Sequence, residues 1–388
     1  MKNQLLSHPI QPVLMIPLRR CGSHAIRLRL SFSPDFYSPY PLHLVDFAPL
    51  LPLYGDLDDD ATFLQLVVDI VGLQALSLVT WDGVAINPVQ LFEKIKDRPR
   101  SAHTVAWEIL CEAARSRGAR VVMDKSLDNV HQWRDILSLY PNMRFLNVVR
   151  DPRAQVSSMN RAIIHEFDSL LNAQFLVHAY EAAQELIQAH PEHVLTVRFE
   201  DFIEDEAGTT RKICDFLGVR YVPEMGDITR SEEAMRMSSQ SDLWESNGSS
   251  PIKANVDKFK DVLSAEEIEL IETLTKGVMD RYHYARMTAA NAEVTEKMFT
   301  QAWKRSDERK KQAWDDLKAS KPQDYLLRKR RADYIEMCRR NLIGTPARSD
   351  GQPTARAADN NMLSNLPRIG NAARPGNVRI AARSRTRR

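Results

Sequence analysis

The chain has 388 residues, 43% hydrophobic and 27% charged, with a formal net charge of +2. That length permits one large domain or two ordinary ones, and the composition is that of a globular chain able to bury a sizeable core rather than a fibrous or wholly disordered one. The charge is uneven: nine arginines against Asp350 and Asp359 make residues 343–388 about +7 and leave about −5 for the rest.

The first predicted strand is VLMIP at residues 13–17. It runs into Leu18-Arg19-Arg20-Cys21-Gly22-Ser23-His24 and then a helical run, AIRLRL, beginning at Ala25. Strand, tight turn and helix is the arrangement that aims backbone N–H groups and a helix N-terminus at an anion. Gly22 lets the backbone approach closely. Ser23 adds a hydroxyl donor and Arg20 a permanent charge. No GxxxxGK[ST] pattern is present, so this is not a Walker loop. Taken by itself, the stretch is equally a strand-to-helix turn carrying surface arginines.

Residues 63–79 form the longest apolar stretch, but Gln65, Asp69 and Gln74 interrupt it. It is too short and too polar for a membrane span and reads as a buried helix. Ser101 caps a predicted helix ending near Gly118. Strands follow at 121–123, 145–149 (FLNVV) and 194–197 (VLTV), each beside a helical pattern, which predicts a mainly parallel sheet covered on both faces. Helices are expected at 154–164 after Asp151-Pro152, at 169–189, and at 206–217 before Gly218. Ser264 with Glu267 makes a capping box.

Beyond about residue 284 the character changes. Residues 293–341 are charged and helix-friendly, suited to packing on the domain or to an oligomer arm. From Gly344 the composition is Pro, Gly, Ala, Asn and Arg, which predicts a disordered tail. Such a tail either solubilises the chain, the reading preferred here, or contacts nucleic acid or anionic lipid. No specific nucleic-acid motif is present. Cys21, Cys111, Cys214 and Cys338 are scattered without CxxC or metal-ligand spacing. With no convincing targeting segment, a reducing, cytoplasmic setting without a metal site is expected.

Several blocks together resemble the bacterial-type, soluble sulfotransferases that use 3′-phosphoadenosine-5′-phosphosulfate (PAPS). Arg20-Cys21-Gly22-Ser23-His24 resembles the family's R-S-G-T-T loop, which holds the 5′-phosphosulfate, and Ser33-Pro34 falls where many bacterial members have His-Pro. FLNVVRDPRAQVSSM resembles the segment V-R-D-P with a serine eight residues after the arginine, so Arg150 and Ser158 are implied to bind the 3′-phosphate. VVMDKSLDN resembles the K-[ST]-P segment, with Leu127 in place of the proline and Lys125 facing the bridging oxygen or the sulfuryl group. VLTVRFEDF resembles R-Y-E-D-L, placing Arg198 among possible adenine-side contacts. The likeness runs from about residue 11 to 287 and implies a three-layer, P-loop-like α/β fold. The division expected is a transfer domain at 1–288, a charged helical extension at 289–342 and a basic tail at 343–388.

The implied reaction is in-line sulfuryl transfer without a metal, the charge being met by Arg20, Lys125 and the loop amides. Arg19, Cys21, Gly22, Ser23, His24 and Ala25 would hold the donor. His43 and Asp46 are the two candidate general bases in the segment after the loop, and the sequence does not choose between them or exclude a base from elsewhere. The acceptor is unnamed, a hydroxyl on a carbohydrate, lipid or small molecule being expected. Self-association through the extension is a further possibility. The competing readings are a P-loop-type nucleotide kinase and a non-catalytic nucleotide-binding scaffold.

Overall fold

The computed structural model describes residues 10–249, 253 and 256–344. The tail expected to be disordered lies outside them from residue 345 onward. The centre is a five-stranded sheet in the order β2-β3-β1-β4-β5, with β1 at Gln11–Ile16, β2 at Phe36–Tyr37, β3 at Val121–Asp124, β4 at Arg144–Val149 and β5 at Val194–Arg198. Every pairing is parallel. The two-residue β2 is too short to carry an alternation signal and went unpredicted.

The strand alternation splits the core in two. Leu14, Ile16, Val122, Phe145 and Val149 face one layer of helices, while Val13, Met15, Val121, Met123, Leu146 and Val148 face the other. All eleven of these side chains are 2% exposed or less. Both faces are therefore dry, as a parallel sheet requires.

The early helices are α1 (Ser23–Leu30), α2 (Asp60–Ala75), α3 (Pro88–Ile95), α4 (Ala102–Ser116), α5 (Trp133–Leu139), α6 (Pro152–Met159) and α7 (Ser169–Ala189). The later ones are α8 (Phe199–Glu204), α9 (Glu206–Leu217), α10 (Glu232–Gln240), α11 (Phe259–Val262), α12 (Ala265–Leu274), α13 (Lys276–Arg281), α14 (Glu296–Ser320) and α15 (Pro322–Leu342).

Local signals set most of these boundaries. The Ser101 side chain accepts from Thr104 N–H, Ser264 and Glu267 form the reciprocal capping box, and Gly218 ends α9 in the left-handed region at φ 69°. Helix α6 stops at Met159, five residues short of the expected 164. Asn160 donates to Ser169 Oγ at 2.7 Å and accepts from Asn172 at 2.8 Å, so contacts with α7 take over where the helix would have continued.

Helices α14 and α15 fold back onto the body. Ala302 and Trp303 pack beside Leu170, Leu171 and Phe175 of α7. Tyr334 donates to the Asp69 carbonyl of α2 at 3.0 Å and fills the space where a Cβ on Gly72 would stand.

Candidate active site

A cavity of about 340 Å³ opens at the carboxyl ends of β1, β3 and β4, the edge at which open α/β sheets bind ligands. The turn leaving β1 forms its floor. Gly22 sits at φ 89°, and a Cβ there would lie 2.1 Å from the Phe199 ring, so only glycine fits between ring and loop. Arg20 is also left-handed, at φ 70°. It donates from Nε to Ser158 Oγ at 3.0 Å and from Nη1 to the Leu243 carbonyl at 3.2 Å.

Arg150 follows the last residue of β4. Its Nη1 donates to the Arg20 carbonyl at 2.9 Å and its guanidinium lies over Phe199, 5.2 Å from the ring centre. Gly22 and Arg150 thus line a single cavity. Lys125, just beyond β3, is buried and donates to Ser23 Oγ at 3.4 Å.

Arg19, Ser23, His24, Ala25, His43, Asp46 and Ser158 line the same space. Two expected ligands do not. Cys21 points into the apolar cluster beneath the sheet, fully buried, and burial pushes its thiol up to about 11. Arg198 turns away from the cavity: its guanidinium lies over Tyr284 at 4.6 Å and pairs with Asp201 at 3.6 Å. As the final residue of a strand, its side takes the direction set by the pleat, and that direction is not the one Arg150 takes.

The structure also brings in residues the motifs did not mark. Ser157 and Arg161 come from α6 and the turn after it, Lys258 from just before α11, Tyr40 and Trp244 from loops, and Trp314, Arg328 and Arg331 from α14 and α15. The clustered positive charge of 304–331 was the one available signal, and it read as helix packed on the domain or as an oligomer arm, with no link to the cavity.

The electrostatics are strongly one-sided. Asp46 is the one carboxylate lining the cavity among the described residues. Arg20, Lys125, Arg150, Arg161 and Lys258 have no carboxylate partner among the described residues, whereas Arg19 pairs with Asp128 at 2.9 Å and Arg29 with Glu206 at 2.7 Å. Burial, then Arg150 and Arg161, lowers Arg20 to about 10. Burial, then Arg27, lowers Lys125 to about 7. Such a cluster of cations is stable only when an anion or water shares it.

The imidazoles respond to the same field. Burial followed by neighbouring cations holds His24 and His43 well below the usual histidine range, so both are neutral near pH 7. The Tyr40 ring stands between them, 6.1 Å from His24 and 5.8 Å from His43. Asp46 is raised by burial, against the pull of Arg331.

A parallel α/β sheet with a P-loop-like turn and a cationic cavity at its carboxyl edge is an arrangement suited to an anionic, phosphate-bearing ligand. A sequence model of the sulfotransferase family matches residues 12–223, which include the turn, Lys125 and Arg150. The chain belongs to that family. Solved structures similar to it include the sulfotransferase domain of the Synechococcus PCC 7002 olefin synthase, at 20% identity and TM-score 0.45 over 71% of this chain and 98% of that one. The sulfotransferase domain from the curacin biosynthetic pathway matches at 16% identity and TM-score 0.48, over 71% and 98%. Sulfotransferase STF9 from Mycobacterium avium matches at 12% identity and TM-score 0.37, over 72% and 78%. No curated protein matches. Among the described residues, no helix is long and apolar enough to cross a membrane.

Proposed function

We propose that the protein transfers the sulfuryl group of PAPS to a hydroxyl-bearing acceptor. The observation that carries this reading is the shared cavity of Gly22 and Arg150, walled by cations that lack carboxylate partners. The fit can be tested on the residues themselves. The Gly22 turn is a cradle that a Cβ would fill, and Arg150 Nε and Ser157 Oγ are buried with no hydrogen-bond partner among the described residues. Both features suit a doubly phosphorylated adenosine gripped at its two ends, with Arg20, Ser23 and the loop amides at the phosphosulfate and Arg150, Ser157 and Ser158 at the 3′-phosphate.

The chemistry then follows from position. The acceptor oxygen forms a bond to sulfur as the bond from sulfur to the bridging oxygen breaks, releasing 3′-phosphoadenosine 5′-phosphate (PAP). Lys125 and Arg20 stabilise charge building on the bridging and equatorial oxygens. The acceptor proton passes to His43. Its imidazole is neutral, and its Nδ1 is buried without a partner among the described residues, whereas Asp46 is engaged by Arg331 at 3.4 Å.

The test is a labelled-PAPS transfer screen across carbohydrate, lipid, small-alcohol, amine and tyrosine acceptors, with PAP release as the readout. Transfer persists in EDTA on this reading, whereas a nucleotide kinase would stop. Arg150→Ala weakens PAP binding by about 10–100-fold, the loss of one or two charge-assisted hydrogen bonds, with little change in melting temperature. Wild-type chain that binds no PAP would end the proposal.

A further inference from the structure

One wall of the cavity lies outside the family-matched span. Trp314 belongs to α14, and Arg328 and Arg331 belong to α15. Arg331 is 3% exposed, and its guanidinium spends its donors on one short turn and the helix behind it. Nη2 donates to the Leu42 carbonyl at 2.6 Å and the His43 carbonyl at 3.4 Å, and Nη1 to the Leu73 carbonyl at 3.2 Å. Nε and Nη2 both reach Asp46 Oδ2 at 3.4 Å.

The turn so held is unusual. His43 has φ 50° and ψ 55°, a left-handed conformation that residues with a Cβ adopt infrequently and that persists where the surroundings over-determine it. Its other side is fixed too. His43 N–H donates to Ser126 Oγ at 3.0 Å, and that hydroxyl donates to Asp124 at 2.8 Å. The residue therefore stands in a clamp, with the end of β3 on one side and α15 on the other. Arg328 adds a second support: its guanidinium lies over Trp244, which meets the Tyr40 ring edge-on at 5.4 Å, and Tyr40 in turn faces His43.

We propose that Arg331 is a positioning residue for His43, which makes the α14–α15 hairpin a working part of the transfer site. This rests on His43 taking the acceptor proton, as proposed above. The charges around the imidazole give the idea a signature that a purely structural arginine would lack. Facing it are Arg19 from the β1–α1 turn, Lys125 from the end of β3, Arg331 and Arg328 from α15 and His24 from α1, with Tyr40 and Asp46 on its own segment. Burial is the first cause of its lowered pKa, and the four cations, Arg331 among them, push the same way. Removing the Arg331 charge therefore moves the imidazole upward, and the acid limb of the rate profile with it.

The experiment uses the full chain with isotope-labelled histidine, His43→Asn serving to assign the resonance. Wild type, Arg331→Gln and Arg331→Lys are titrated by NMR, tested for PAP binding by calorimetry, and assayed with whichever acceptor the screen identifies. Arg331→Gln is expected to titrate His43 at higher pH and to lower kcat by about tenfold or more, with KM for PAPS within about twofold of wild type. Arg331→Lys keeps the charge but not the fork. Its His43 titration stays near wild type while kcat remains reduced. An Arg331→Gln chain with unchanged titration and kcat overturns the proposal. So does parallel loss of fold and PAP binding in both variants, which would make Arg331 a general structural prop. The titration needs neither donor nor acceptor, so a wild-type chain that binds no PAP would sink the transfer reading while still reporting on Arg331.

Discussion

At Lys125, burial and the neighbouring Arg27 bring the ammonium down to about 7, so it titrates near neutrality in the free protein. An anion bound beside it favours the protonated form and raises the pKa again. Binding therefore takes up a proton at any pH between the free and bound values, and affinity weakens as pH rises through that window. Calorimetry with PAP at pH 8 in buffers of different ionisation enthalpy should report uptake of up to about one proton. Lys125→Met should abolish the uptake and leave weaker binding that is flat in pH. A wild-type affinity constant from pH 6 to 9 would contradict the assignment. Lys125 was singled out only by the resemblance of VVMDKSLDN to the family's K-[ST]-P segment, and the structure places it in the lining of the cavity. Arg198 was placed among possible adenine-side contacts by the resemblance to R-Y-E-D-L, and it does not line the cavity, because two strand-end arginines look alike until the pleat is known.

Among the elements, the α14–α15 hairpin was legible as helix and illegible as part of the site. Its charge suited packing on the domain or an oligomer arm, and Lys310, Arg328 and Arg331 are each 3% exposed or less. Lys310 pairs with Glu166, itself 2% exposed, and Ser306 Oγ donates to the other Glu166 oxygen at 2.6 Å. A buried pair of this kind contributes little against an apolar substitute, but removing one partner strands a charge. Lys310→Met should destabilise the chain by about 3–5 kcal/mol in urea unfolding. Adding Glu166→Gln should recover a large part of that loss, because the stranded carboxylate is gone. Equal stability of the single and double variants would show that the pair does not anchor the hairpin. Helix-friendly composition found these helices because intrinsic propensity is a property of the local chain. What packs against them is a tertiary fact.

For the molecule as a whole, the hairpin shares a core with the sheet domain through α2 and α7 and contributes to one cavity with it. It should therefore open with the domain instead of fraying from it. Native-state hydrogen exchange is expected to give the amides of 302–310 and 328–338 protection comparable to that of β4, within a single thermal transition. Early exchange of both helices ahead of β4 would make the extension a separate unit, as the expected division at residue 288 implies. The proposed PAP grip is likewise a whole-molecule property. It joins the turn after β1 to the end of β4, 130 residues apart in sequence between Arg20 and Arg150.

By itself the sequence determined the parallel sheet, the glycine turn between β1 and α1 and the order of the motif blocks. Apolar runs, glycine and capping residues act over a few neighbouring positions, and their physics is local. Only the tertiary structure decided which strand-end arginine faces the cavity, that α15 grips the His43 turn, and that buried cations close the pocket. Those outcomes depend on pleat direction and on contacts across more than a hundred residues, where burial sets whether a charge is a surface ornament or a hydrogen-bonded anchor.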